Sequence, residues 1–213
     1  NAEIIRPLAV GDDVRRWHVR DKDRYLLFTR RGTDMSRHPE VLEYLSQYRE
    51  NLEPRPRAWK GDKPWPGRKP GSYKWYEIQD EVAYFREFDK PKIIYPDMAQ
   101  SSRFTLDTQG YYFGNTTYFI ASNDLYLLGI LNSKAFWGLC QQKFASFKGA
   151  TLRFYKQDLL TLPIPIPTDE QREKMERLVA GCLERRGIEC SKQERDIDIL
   201  ADALYGFEVP SRP

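Results

Sequence analysis

The sequence predicts an α+β fold: a mixed, mostly antiparallel, curved sheet with packed helices and a C-terminal helical hairpin. Short apolar runs rich in β-branched and aromatic residues cluster in the middle of the chain. Amphipathic helical patterns lie before and after these runs. Because the predicted strands do not alternate regularly with helices, a βαβ arrangement with a parallel sheet is disfavoured.

The N-terminal part of the chain is predicted to contain two short strands and one helix. Glu3–Leu8 and Arg24–Arg30 contain compact apolar runs bounded by charges, which is typical of strands. Ser36–Glu53 has the apolar spacing of an amphipathic helix, with Pro39 in the first turn, where no intrahelical N–H bond is lost. The helix is expected to end near Pro54.

Residues Pro54–Lys74, which we call the basic loop, differ in composition from their surroundings. They include five prolines, three glycines and seven Lys or Arg, against the single acidic residue Asp62. Prolines and glycines at this density predict a long loop, and long ordered loops tend to be functional. Basic side chains interleaved with Trp59, Trp65 and Tyr73 suit nucleic-acid contact and base stacking. The competing interpretation is a solvated excursion whose tryptophans pin it to the core.

The predicted strands of the sheet follow, each with large apolar side chains between Pro, Gly or polar borders. They are Tyr73–Ile78, Pro91–Pro96, Ser102–Asp107, Tyr111–Gly114 and Thr116–Ala121. Thr108, Gln109 and Gly110 separate two of these strands and predict a hairpin connection between them.

An apolar helix and a purely basic segment come next. Asp124, or Asn123 before it, is suited to cap a helix whose leucines recur near the helical period. The segment from Ser133 to Gln157 has five basic residues and no Asp or Glu, which indicates a phosphate-facing surface or a solvated loop. Leu162–Pro167 has proline at every second position, so it is predicted to be an extended edge segment without ladder N–H groups.

The C-terminal quarter is predicted to form two helices packed as a hairpin. Thr168 with Gln171, and Ser191 with Glu194, have the spacing of capping boxes. Gly206 is placed to end the second helix.

Length and charge indicate one main domain with a small appendage. We divide the 213 residues into a main domain, residues 1–167, and a C-terminal helical hairpin, residues 168–213. The net charge of the whole chain is +3, but residues 1–164 alone carry +6. This asymmetry favours an anionic partner for the main domain.

Cysteine, histidine and hydropathy patterns exclude several other classes. The three cysteines, Cys140, Cys182 and Cys190, are odd in number and irregularly spaced, which argues against a disulfide framework and favours a reducing compartment. With two histidines and no Cys-x-x-Cys pair, no metal site is expected. No apolar run has the length of a membrane span, so we expect a cytoplasmic protein without membrane contact. Because the chain begins at Asn1, we also expect it to be a piece of a longer protein.

Several strings in the chain, taken together, resemble a known family. ILNSK, the basic segment with its glycine, LLTLPIPIP, and DEQ at a helix start are similar to the C-terminal specificity domain of TaqI-like adenine methyltransferases. More distantly, they resemble the target-recognition domains of type I restriction specificity subunits. YKWYEI, PKIIYPDMAQSSRFTLDTQGYYFGNTTYFI and the closing IDILADALYGF extend the similarity, in order, over nearly the whole chain.

The resemblance implies sequence-specific recognition of double-stranded DNA, as the specificity domain of a type II restriction-modification adenine methyltransferase. In such enzymes the domain clamps duplex DNA against a covalently linked methyltransferase domain. That domain binds S-adenosylmethionine and methylates a flipped adenine, and in some fused enzymes a nuclease domain cuts nearby. The chain lacks the Asn-Pro-Pro-Tyr signature of the catalytic domain, as well as Gly-rich cofactor and P-loop motifs. We therefore expect no catalytic, cofactor-binding or metal-binding residue in this chain.

Basic residues in the loops are the candidates for DNA contact. Arginine distinguishes guanine in the major groove, while lysine and arginine neutralise phosphates without reading sequence. The candidates are Arg68, Lys69, Lys74, Arg103, Lys143, Lys148 and Arg153. For each of them, a surface charge with no specific role is the competing interpretation.

Three other functional classes stay open. One is a single-stranded nucleic-acid-binding module, with Trp59, Trp65 and Tyr73 as its stacking platform. Another is a protein-interaction module of a restriction-modification complex, with the two late helices as the partner surface. The third is an undetected nuclease, which would require cleavage by this chain that depends on a divalent metal ion.

Overall fold

The computed structural model describes residues 1–147 and 149–207, which form short strands and α-helices. The strands are β1 (Ile5–Ala9), β2 (Val14–Arg15), β3 (His18–Val19), β4 (Tyr25–Leu27), β5 (Lys92–Pro96), β6 (Met98–Ala99), β7 (Thr105–Asp107), β8 (Tyr112–Phe113), β9 (Thr117–Ile120), β10 (Ser146–Phe147) and β11 (Thr151–Arg153). The helices are α1 (Pro39–Ser46), α2 (Arg49–Leu52), α3 (Leu125–Asn132), α4 (Lys134–Lys143), α5 (Lys156–Leu159), α6 (Asp169–Glu184) and α7 (Ser191–Tyr205). The predicted α+β class is confirmed.

The chain divides into two units. Unit 1 comprises Asn1–Pro7 and Tyr25–Phe85, and unit 2 comprises Leu8–Arg24 and the described residues from Arg86 onward. Helices α6 and α7 pack on α3 and α4 inside unit 2 and share its core. The functional division predicted at residue 167 stays a prediction.

The strands of unit 2 pair mostly antiparallel, in several small sheets. Strand β5 lies between β7 and β9, with Ile93 opposite Leu106 and Ile94 opposite Phe119. A second sheet has the order β10-β11-β6, and β2 pairs with β3. The last two residues of β1 pair parallel with β8.

The hairpin predicted between β7 and β8 is wrong, although the turn between them is present. Strand β7 pairs with β5, and β8 pairs with β1. The Asp107 carboxylate explains the turn, because it accepts hydrogen bonds from the N–H groups of Gln109 (2.8 Å) and Tyr111 (2.9 Å). It also forms a buried ion pair with Lys92, and Gly110 supplies the positive φ of 72°.

The long apolar helix predicted after Asp124 is present as two helices. Asp124 caps α3 by accepting from Leu127 N–H at 3.2 Å, which selects it over its neighbour Asn123 as the cap. The helix then breaks at Ser133, whose backbone is extended and whose hydroxyl caps α4 by accepting from Phe136 N–H at 3.1 Å. A serine inside the apolar pattern thus starts a new helix, because its side chain competes for backbone hydrogen bonds.

One of the two predicted capping boxes is confirmed. Thr168 and Gln171 exchange hydrogen bonds of 3.3 and 2.8 Å at the start of α6. The box predicted at Ser191 is wrong, since Cys190 occupies the N-cap position without a side-chain bond. Glu194 is instead used in a long-range contact, accepting from Trp17 Nε1 at 2.7 Å.

The core of unit 2 is large and continuous. Its three cysteines are buried and free, with no disulfide bond. Burial raises the pKa of the Cys140 and Cys182 thiols to about 12. Both side chains therefore stay neutral and pack as small apolar groups. At Gly206, with φ of 72°, α7 ends as predicted.

Unit 1 has a much smaller core, centred on Ile4, Met35 and Val41. Strand β1 pairs antiparallel with β4 in this unit. The helix predicted over Ser36–Glu53 is interrupted between α1 and α2, where the Ser46 hydroxyl donates to the Glu43 carbonyl at 2.6 Å and competes with helical bonding. With so few buried apolar groups, the rest of unit 1 depends on polar contacts for its order.

The strand predicted over Tyr73–Ile78 is wrong. The segment forms a turn, in which Glu77 N–H donates to the Lys74 carbonyl at 2.9 Å. The buried Glu77 carboxylate accepts from Lys74 N–H (2.9 Å) and from Gly32 N–H (3.0 Å). A side chain within the segment thus takes one of the backbone donors, Lys74 N–H, that a strand would use for pairing.

The contact of α3 with α6 gives a test of packing in unit 2. A Cβ added at Gly129 would lie 2.4 Å from Met175 Sδ and 2.9 Å from Val179 Cγ2, both fully buried. We expect Gly129→Ala to lower the free energy of unfolding by about 1–3 kcal/mol through overpacking. Gly138 of α4 has open space, so Gly138→Ala is expected to raise it by about 0.5–1 kcal/mol.

Urea denaturation of the two variants measures both changes. Equal stability of the two variants would contradict close packing of α3 on α6.

Candidate nucleic-acid interface

The basic loop, Pro54–Lys74, lies entirely in unit 1 and contains no helix or strand, as predicted. A parallel bridge between Pro54 and Arg68 ties its beginning to its later part. Two backbone hydrogen bonds reinforce this bridge, from Arg55 N–H to the Arg68 carbonyl (2.9 Å) and from Arg68 N–H to the Glu53 carbonyl (3.0 Å). The loop is therefore anchored by its own backbone.

The Arg68 side chain braces this loop from inside. Its Nε donates to the Leu52 carbonyl, Nη1 to the Glu77 carbonyl and Nη2 to the Trp75 carbonyl, each at 2.7 Å. Nη2 also lies 3.4 Å from the Lys74 carbonyl. Burial lowers the pKa of the guanidinium from its usual range. The planar fork thus holds the segment before the loop against the turn after it, a geometry that a lysine cannot reproduce.

Gly67 permits the close approach that this brace requires. A Cβ at Gly67 would lie 2.2 Å from the Glu53 carbonyl oxygen and 2.7 Å from Trp65 Nε1. Trp65 Nε1 donates to that same carbonyl at 3.0 Å, and its ring meets Trp59 edge to face, with centroids 5.0 Å apart. Trp65 therefore has a structural contact, whereas Trp59 is 42 % exposed.

The side chain of Tyr73 also makes contacts within the basic loop. It is buried, and its hydroxyl donates to the Lys69 carbonyl. The guanidinium groups of Arg68 and Arg31 lie 4.6 and 5.1 Å from its ring centroid. In this conformation Trp59, Trp65 and Tyr73 do not present three open ring faces, so the stacking platform of the single-strand alternative is not assembled.

A cleft opens beside the braced loop. It has a volume of about 600 Å³, and we call it the basic cleft. Two segments of the chain line it, Glu53–Arg57 and Gly71 with Tyr73–Tyr76. Arg68 donates to carbonyls of Trp75 and Lys74 in the second segment, while its backbone bonds Glu53 and Arg55 in the first, so both segments are tied to one residue.

The cations of the loop differ in whether their charge is already used within the protein. Arg68 is bonded to carbonyls, and Lys69 pairs with Asp80 at 2.8 Å. Four other exposed cations have no hydrogen-bond or ion-pair partner among residues 1–147 and 149–207. They are Arg55, Arg57, Lys60 and Lys63. These four are free to meet an external anion, and sequence reasoning left all of them out.

Lys74, a predicted contact, lies at the edge of the basic cleft and is exposed. Its ammonium is 5.5 Å from the Tyr76 ring centroid, and a hydrogen bond with the Tyr76 side chain raises the pKa of Lys74. The ammonium stays charged and faces the same cleft as Arg55 and Arg57. The structure thus brings Arg68, Lys69 and Lys74 together in one loop, with different surroundings for each.

The other predicted contacts belong to unit 2. Arg103 is half-buried and has no side-chain partner within the described part of the chain. Lys143 is exposed at the end of α4, and Arg153, at the end of β11, lies 3.6 Å from Asp97. Lys148 lies outside the described residues. Contact with DNA by any of the seven candidates stays a prediction.

Two specific features were sought in the described ranges, a metal-suited cluster of side chains and a membrane-spanning helix. No cluster of three or more His, Cys, Asp or Glu side chains that would suit a metal ion lies within them. None of the helices in those ranges has both the length and the apolar character needed to cross a bilayer.

The family model for the TaqI-like C-terminal specificity domain matches residues 6–164. This match covers most of the 213 residues, and the chain belongs to the family of TaqI-like C-terminal specificity domains.

A similar fold occurs in the structure of the type IIL restriction-modification enzyme MmeI, solved in complex with DNA. The two share 18 % sequence identity at a TM-score of 0.62, over 99 % of this chain and 29 % of the MmeI chain. At this identity the likeness shows a common fold. This chain spans less than a third of the length of that enzyme.

Replacement of Arg68 by lysine tests the brace, because it keeps the positive charge but removes the planar fork. We expect Arg68→Lys to lower the free energy of opening of the loop by about 1–3 kcal/mol, since several carbonyls lose a charged donor. Hydrogen exchange at the amides of Arg55, Arg68 and Glu77 measures this change.

Lys69→Ala is the matched control, because Lys69 is adjacent but makes only an exposed ion pair with Asp80. We expect little change in exchange for this variant. Unchanged protection in Arg68→Lys would show that the loop holds its conformation without the fork.

Proposed function

We propose that this chain recognises the target sequence in duplex DNA for a restriction-modification enzyme and is not catalytic by itself. Membership of the TaqI-like C-terminal specificity domain family is the observation that carries this proposal. The shared fold with an enzyme whose structure was solved in complex with DNA supports it. The uncommitted cations of the basic loop supply the charge that DNA binding requires.

The proposed parent protein is a type II adenine methyltransferase of the cytoplasm, in which a covalently linked domain binds S-adenosylmethionine. In this division of labour, the specificity domain holds the duplex while one adenine leaves the base stack and enters the catalytic domain. This chain then needs only base contacts and phosphate contacts. Arg103 and Arg153 are the proposed candidates for base edges in unit 2, and Lys143 and Lys148 for phosphates.

Direct binding measurements test the proposal. We expect the chain to bind duplex DNA, with an affinity that falls steeply as salt increases because counterions are released from the phosphates. Fluorescence anisotropy with one duplex and with its separated strands, at several NaCl concentrations, gives both affinities and the salt slope.

The same experiment separates the alternatives. Tighter binding to the single strand than to the duplex would favour a single-strand-binding module. Absence of binding to either form at low salt would contradict the DNA-recognition proposal and favour a protein-interaction module.

A further inference from the structure

The side chains around the basic cleft give it a positive charge that the protein does not neutralise. Arg55, Arg57 and Lys74 line it, and the first two have no side-chain partner within residues 1–147 and 149–207. Glu53 is the acidic residue of the lining, and its carboxylate lies 3.4 Å from Arg49 Nε. An anion entering the cleft would therefore meet two free guanidinium groups and an ammonium.

The volume of the cleft and its aromatic lining restrict what that anion can be. A volume of about 600 Å³ is larger than a lone phosphate needs and lies within the range of sites for nucleotide-sized ligands. Trp75 and Tyr76, which line the same cleft as the two arginines, supply half-buried aromatic surface. A ligand that combines an anionic group with an apolar part matches both the volume and the aromatic surface of the cleft.

We propose that the basic cleft binds one sugar-phosphate unit of a DNA strand, with Arg55 and Arg57 on the phosphate oxygens and the deoxyribose against Trp75 and Tyr76. This inference rests on the proposed function and assigns one backbone contact within it. Arginine suits this role because its planar donors match two phosphate oxygens at once. Such a contact fixes the position of the domain on the duplex and is independent of base sequence.

Arg68 is a positioning residue for this site, not a contact. Its guanidinium holds the carbonyls of Trp75 and Glu77, and its backbone holds Arg55 and Glu53. The two segments that line the cleft are thereby joined through Arg68 before DNA arrives. Preorganisation of this kind reduces the ordering cost of binding.

The test compares two double variants that each remove two positive charges from the basic loop. Arg55→Ala/Arg57→Ala removes the cleft guanidinium groups, and Lys60→Ala/Lys63→Ala removes uncommitted charges that do not line the cleft. Affinity is measured by fluorescence anisotropy on two duplexes of equal length and unrelated sequence, over a series of NaCl concentrations. Circular dichroism and hydrogen exchange establish that each variant keeps its fold.

We expect the arginine variant to bind both duplexes about 10- to 100-fold more weakly at low salt. Its salt slope should fall by about 0.9 for each phosphate that the variant no longer neutralises. The lysine variant should lose several-fold less affinity than the arginine variant.

Four results would overturn the inference. Equal losses for the two variants would mean that the loop acts through diffuse charge, and a loss confined to one duplex would make the arginines base readers. If the unmodified chain binds DNA and the arginine variant binds with unchanged affinity, the cleft is not a DNA contact, and the proposed function is unaffected. If the unmodified chain binds neither duplex, the proposed function fails, and the inference fails with it.

Discussion

The bonding of one guanidinium to backbone carbonyls is the constraint on which the candidate interface depends. Unit 1 has a small apolar core, and its basic loop has five prolines and three glycines. Ordering such a segment costs conformational entropy, and the small apolar core returns little free energy from burial. Arg68 compensates by donating to carbonyls before and after the basic loop, those of Leu52, Trp75 and Glu77. The buried Glu77 carboxylate accepts from nearby N–H groups. Polar contacts therefore order this part of unit 1, whereas apolar packing orders unit 2.

This framework sorts the positive charges of the loop into two kinds. Arg68 and Lys69 are committed within the protein, and their charge has little left to offer DNA in this conformation. Arg55 and Arg57 are uncommitted and sit beside an open cleft. A chain with a net charge of only +3 can therefore still carry a local group of unpaired positive charges. For the proposed DNA contact, this local charge matters more than the total.

Sequence reasoning succeeded where the physics is local. Asp124 as a cap, the Thr168–Gln171 box, Gly206 as a helix end and the irregular backbone of the basic loop all follow from side chains acting on their own neighbours in the chain. The α+β class followed from the same local patterns.

Sequence reasoning failed where a side chain forms a hydrogen bond with a backbone donor or acceptor that a predicted strand would use. The run Tyr73–Ile78 has the alternation of a strand, but Arg68 donates to the carbonyls of Trp75 and Glu77. The Glu77 carboxylate accepts from the N–H of Lys74. The role of Arg68 was missed for the same reason, since composition does not reveal which cations are bonded internally. A signal for Arg55 and Arg57 was nevertheless present. Arg55 lies between two prolines and Arg57 follows the second, and prolines at this spacing disfavour helix and leave these side chains in a loop.

The most direct measurement is a structure of the chain bound to a DNA duplex. We expect phosphate oxygens to accept hydrogen bonds from the guanidinium groups of Arg55 and Arg57. Arg68 should still be bonded to the carbonyls of Leu52, Trp75 and Glu77. A complex in which the basic cleft faces solvent, or in which Arg68 leaves those carbonyls to reach the DNA, would contradict this expectation.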